Sequence, residues 1–97
     1  MSDPHIVKRE PVEEALIILQ EECAEVSQAV SKALRFGIDD THPGMDRTNR
    51  ELITIECGHV VALIQKLISL NVITKKGVED AKGNKIVKLW KWSNLPR

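Results

Sequence analysis

PVEEALIILQEECAEVSQAVSKALRFG, Pro11 to Gly37, decides the fold. Proline is tolerated in a first helical turn, and Glu13 and Glu14 beside it complement the helix dipole. Nothing breaks the pattern until Gly37, a residue suited to the position just past a helix's last turn. At about 100° per residue, Ala15, Ile18, Leu19, Val26, Ala29 and Ala33 share one stripe, with Glu13, Gln28, Ser31 and Arg35 on the opposite side. An amphipathic helix over 11–36 follows. Glu22 falls in the middle of its apolar stripe and Glu25 on the edge, whereas Glu21 lies outside.

Beyond this helix, IDDTHPGMDR is rich in turn formers and reads as a loop. Thr48 with Glu51 makes a capping-box signature that opens a second helix, 48–70, with Asn71 as its terminator. A third helix follows Thr74 and covers 75–92, weakened by Gly77 and Gly83 at about 1 kcal/mol each relative to alanine. VVALIQKLISL has β propensity but lies inside the second helical pattern. The expected fold is all-α, one domain over 1–97. It consists of an antiparallel helix hairpin plus a C-terminal helix, in a subunit small enough to complete its core by pairing with a copy of itself.

The composition, with 42% hydrophobic and 29% charged residues, is that of a globular protein. Net charge is zero, which argues against bulk attraction to nucleic acid or anionic membrane. Its distribution is uneven: six acids against Lys32 and Arg35 over 10–36, and seven bases against Glu79 and Asp80 over 75–97. The longest uncharged apolar run, Cys57–Gln65, is broken by His59 and too short to span a bilayer. The N-terminal MSDPHIVKRE lacks the apolar core of a signal peptide, so a cytoplasmic protein is expected. Cys23 and Cys57 read as reduced, small, mostly buried side chains.

The second helix repeats the oddity of the first. Leu52, Val60, Leu63, Leu67 and Leu70 form a stripe with Glu56 at its centre and His59 beside it. Each helix thus projects two ionisable groups, three residues apart, toward the expected core. Desolvating an unpaired carboxylate costs several kcal/mol, so something must compensate. In a hairpin with level ends, Glu25 and His59 stand at one height, with Glu22 and Glu56 within a turn. Three arrangements satisfy these groups: a buried Glu25–His59 ion pair with lysines meeting Glu22 and Glu56, a carboxyl of shifted pKa that shares a proton with its neighbour, or a metal ion held from two helices.

Glu21-Glu22-Cys23-Ala24-Glu25, followed about thirty residues later by Glu56-Cys57-Gly58-His59, resembles the EExxE–ExxD pattern of the MazG-like all-α nucleoside triphosphate pyrophosphohydrolases. LIILQEECAEVSQAVSKALRFG and KIVKLWKW also resemble its small, phage-type members, and the likeness spans roughly residues 14–92. The resemblance implies hydrolysis of a nucleoside triphosphate, a dNTP in particular, to monophosphate and pyrophosphate. It also implies Mg²⁺ on Glu22, Glu25 and Glu56, with Glu21 matching the motif's first glutamate. Family members assemble as dimers or tetramers in which helix pairs form four-helix bundles. The second helix's apolar arc, which also takes in Ile53, Ile64 and Ile68, is wider than one neighbour needs.

His59 stands where the family has aspartate. Imidazole suits Mn²⁺ or another softer divalent ion better than Mg²⁺. His59 therefore ligates a softer metal, or sits beside Mg²⁺ and contacts phosphate, or marks a helical oligomer without activity. Glu21 or Glu22 is the candidate to orient or deprotonate the attacking water. Lys82 and Lys85 border the apolar side of the third helix and, with Arg35 at the end of the first, are candidates for substrate phosphate; their alternative is solvated lysines with stems over the core. Trp90 and Trp92, near a chain end at an expected subunit contact, read as packing residues, the 38–47 loop as a wall of the base pocket, and His42 and His5 as residues without partners.

Overall fold

The computed structural model describes residues 9–97; His5 and most of the N-terminal segment lie outside them. Three helices follow in order, α1 (Pro11–Phe36), α2 (Asn49–Ser69) and α3 (Lys75–Trp92), and the described residues contain no strand beyond an isolated Thr41–Thr48 bridge. The protein is all-α.

Local chemistry sets each boundary. Gly37 leaves α1 at φ 106° while its N–H still bonds Ala33 O at 2.9 Å. Thr48 caps α2, its hydroxyl accepting from Glu51 N and donating to Glu51 Oε1, both at 3.2 Å. Asn71, at φ 61°, ends that helix in a Schellman arrangement: its N–H bonds Ile68 O, and Val72 N–H bonds Leu67 O, each at 3.0 Å. Thr74 caps α3 by accepting from Gly77 N at 3.0 Å.

α1 and α2 pack antiparallel, and the buried apolar side chains Ala15, Ala29, Ala33 and Leu67 lie between them. The connection between the two helices is not a simple bend. Its backbone folds over the start of α2, with Asn49 N bonded to Asp40 O and Arg50 N to Ile38 O. Asn49, 1% exposed, donates from Nδ2 to Gly37 O at 2.8 Å. Arg50 forks onto Asp39 through Nε and Nη2, and this hydrogen bond holds the Asp39 carboxyl below its ordinary range. Asn49→Ala should cost about 1–3 kcal/mol by freeing a buried carbonyl, read as a lowered urea midpoint with helix length unchanged.

The molecule is a thin layer, 47 × 41 × 15 Å, with a radius of gyration of 16.9 Å. A compact chain of this length would have about 12.5 Å. α3 buries none of its residues, and Ile86, Val87, Trp90 and Trp92 are exposed. Trp90 is only partly covered within the chain, with Arg97 over its ring at 5.4 Å. Gly83 has open space where a Cβ would stand, whereas a Cβ at Gly77 would meet the capping hydroxyl of Thr74 at 2.8 Å. Gly83→Ala should strengthen α3 by about 1 kcal/mol, and Gly77→Ala should forfeit that gain. Amide hydrogen exchange across 75–92 separates the two.

One sequence expectation is qualified and one changes. α2 as a whole is long and apolar enough, by length and composition, to cross a membrane, although its longest uncharged run is not. Both cysteines are exposed rather than buried, because only one layer of helices is present to cover them.

Candidate metal centre

The antiparallel register determines which groups meet. Pro11 stands across from Leu70, Ile18 from Leu63, Glu22 from His59, and Glu25 from Glu56. Glu25 and His59, expected at one height, are a helical turn apart. The reason is the connection: by folding back over Asn49 and Arg50, it lets α1 run about one turn past the start of α2.

Glu22, Glu56 and His59 converge. His59 Nδ1 lies 3.2 Å from Glu22 Oε2 and 3.3 Å from Glu56 Oε2, and the three donor atoms fall within 4.8 Å of one another. The two glutamate side chains are 23% and 21% exposed and His59 is 52% exposed. Expected deep in a core, these groups are instead only partly withdrawn from water, because two helices flank them rather than four. A protonated Nδ1 donating to both carboxylates accounts for the contacts. The same separations match the edges of a coordination shell with bonds of about 2.1 Å, where neighbouring ligand atoms lie roughly 3.0–3.4 Å apart. Two oxygens and one imidazole nitrogen fit a divalent ion of borderline softness better than Mg²⁺.

Glu25 is exposed and outside this trio. It lines a small adjoining hollow with Gln28, Ala29, Lys32, Leu52 and Glu56. Lys32 is therefore the basic residue placed with the carboxylates, and its position seven residues beyond Glu25, on the same helix face, was the signal for it in the sequence. Glu21 is exposed on α1, immediately before Glu22.

The other candidate cations stand elsewhere. Lys82 lines the groove between α2 and α3 beside Val61, Ile64 and Ile68, the side of α2 turned away from His59, and it pairs with Glu79 at 2.7 Å. This contact lowers the Glu79 carboxyl below its usual range. Lys85 is exposed one turn further along α3. Arg35 sits over the Phe36 ring at 4.9 Å, about 20 Å along α1 from Glu22. His42 meets Phe36 edge-on, centroids 5.8 Å apart, so this loop histidine does have a neighbour.

Comparison of the chain with protein-family models, with curated proteins and with solved structures gives no match.

Proposed function

We propose that the chain is a divalent-metal-dependent nucleoside triphosphate pyrophosphohydrolase of MazG-like type, acting on dNTPs in particular. The observation that supports this reading is the convergence of Glu22, Glu56 and His59 from facing helices. Three ionisable groups share a small volume, and no lysine or arginine pairs with them among the described contacts.

Glu22, Glu56 and His59 hold the ion, with Glu25 close enough along α1 to join through water or a rotamer change. When bound, the ion neutralises triphosphate charge and lowers the pKa of a coordinated water. Glu21 or the second oxygen of Glu22 orients that water and takes its proton. Lys32 is the nearest candidate for a phosphate oxygen. Lys82 and Lys85, on the far side of α2, serve the substrate only from a neighbouring copy, and Arg35 only through a long reach. Mn²⁺ or a similar ion is the preferred cofactor, with Mg²⁺ the weaker one. The working assembly is a homodimer or homotetramer. A bilayer placement of α2 would bring Glu56 and His59 to hydrocarbon depth at a cost of several kcal/mol, which favours a cytoplasmic protein.

The test is pyrophosphate release from a panel of NTPs and dNTPs with Mg²⁺, Mn²⁺ and Co²⁺. Turnover with the softer ions supports the proposal. Absence of turnover with every ion at high protein concentration favours the second reading, a helical oligomer without activity, for which His59 in place of aspartate is the supporting observation. His59→Asp should shift the metal preference toward Mg²⁺; an unchanged preference would show that His59 is not a ligand.

A further inference from the structure

α3 changes character at its middle. Its first half borders the hairpin along the groove that Ile64, Ile68, Lys75, Val78 and Lys82 line. The helix as a whole buries no residue and touches the hairpin little. Past Gly83, Ile86, Val87, Trp90 and Trp92 are exposed. At about 100° per residue, Leu89, Ile86, Trp90 and Val87 follow one another around one side of this half. Lys85, Lys88 and Lys91, three residues apart, run down the opposite side. Among the described residues Lys76 and Lys82 pair with carboxylates of α3, whereas these three lysines do not.

The charge of the chain is polarised in the same direction. From Ala81 to Arg97 there are five bases and no acid, so the rest of the chain carries the surplus acids that bring the total to zero. Screening over about 10 Å at 0.1 M salt makes a neighbouring surface respond to the charges nearest it rather than to that total. Arg97 adds a guanidinium 5.4 Å from the Trp90 ring, a cation at the rim of the apolar side. The chain has two tryptophans and no tyrosine, and both tryptophans fall in the last turn of α3.

We propose that the 85–92 half of α3 docks onto an anionic lipid surface. Ile86, Leu89 and Trp90 turn toward the acyl boundary, and Lys85, Lys88 and Lys91 lie among the headgroup phosphates. A basic helix with tryptophan and aliphatic residues on its other side binds in the plane of a bilayer, and tryptophan settles where headgroups meet hydrocarbon. Long lysine stems let the ammonium groups stay at the headgroups while the aliphatic side sinks. Two other partners fit less well. Nucleic acid would meet the lysine side and leave Ile86, Val87 and Leu89 in water. A protein partner would centre on the aliphatic side, but lysine is depleted from protein interfaces, and it supplies three of these eight residues. The proposal involves neither the metal trio nor a substrate, so its test measures no activity.

The wild-type chain is sedimented with vesicles of phosphatidylcholine and phosphatidylserine in equal amounts and with vesicles of phosphatidylcholine alone, and it is titrated with a single-stranded oligonucleotide. It should pellet with the anionic vesicles and not the neutral ones, and come off as salt rises. In Trp92→Phe, where Trp90 is the remaining tryptophan, emission should move to the blue on anionic vesicles and acrylamide should quench it less. Lys88→Gln combined with Lys91→Gln should weaken vesicle binding roughly thirtyfold while circular dichroism keeps its helical signal. No pelleting with anionic vesicles, pelleting without a blue shift in Trp92→Phe, undiminished binding by the double variant, or tighter retention by the oligonucleotide at the same salt would overturn the proposal.

Discussion

Glu22→Gln is expected to lower metal-supported pyrophosphate release by at least about a hundredfold, since even outer-shell changes at metal sites cost 10–100-fold. The substitution keeps the shape of the side chain and removes the charge that would draw a cation to the α1 side of the proposed site. Glu56→Gln should act similarly from α2. Glu25→Gln should cost much less, because Glu25 stands outside the trio and is already exposed. Progress curves at saturating Mn²⁺ for the three variants supply the ranking. Equal losses for all three would instead favour a site in which Glu25 is a full ligand, as the sequence pattern alone suggests.

Leu67→Ala should be the most damaging single change to stability, at about 2–5 kcal/mol. Leu67 is 3% exposed and is the only large apolar side chain buried among the described residues; the other buried apolar positions are alanines. A thin subunit with so few buried side chains depends heavily on each one. Leu34, 83% exposed on α1, provides the comparison: Leu34→Ala should stay within about 0.5 kcal/mol. Urea titrations followed by circular dichroism read both.

The boundaries of the helices were legible because each is set by chemistry confined to a few residues. Gly37, Thr48, Asn71 and Thr74 act through their own hydroxyls or backbone angles. That Glu22, Glu56 and His59 share a region was legible from the helical wheel, which depends only on 3.6 residues per turn. Their heights were not. The register depends on how the 37–48 connection folds over Asn49 and Arg50, and a polar residue in the first turn of a helix gives no sign that it will be buried. Asn49, the latch of that connection, was accordingly missed. The position of α3 was illegible for a different reason. An apolar helix face states that something covers it but not what, and in the single chain α3 extends away from the hairpin, leaving Lys82 and Lys85 behind α2.

In the proposed enzyme Glu22, Glu56 and His59 together hold a divalent cation. Calorimetric titration of Mn²⁺ into the wild-type protein and the Glu22→Gln and His59→Ala variants tests it without reference to any substrate. Wild type should bind saturably, near one ion per chain, with binding weakened at least about tenfold by either substitution. Binding absent from wild type, or unaltered by both substitutions, would show that these three residues hold no ion.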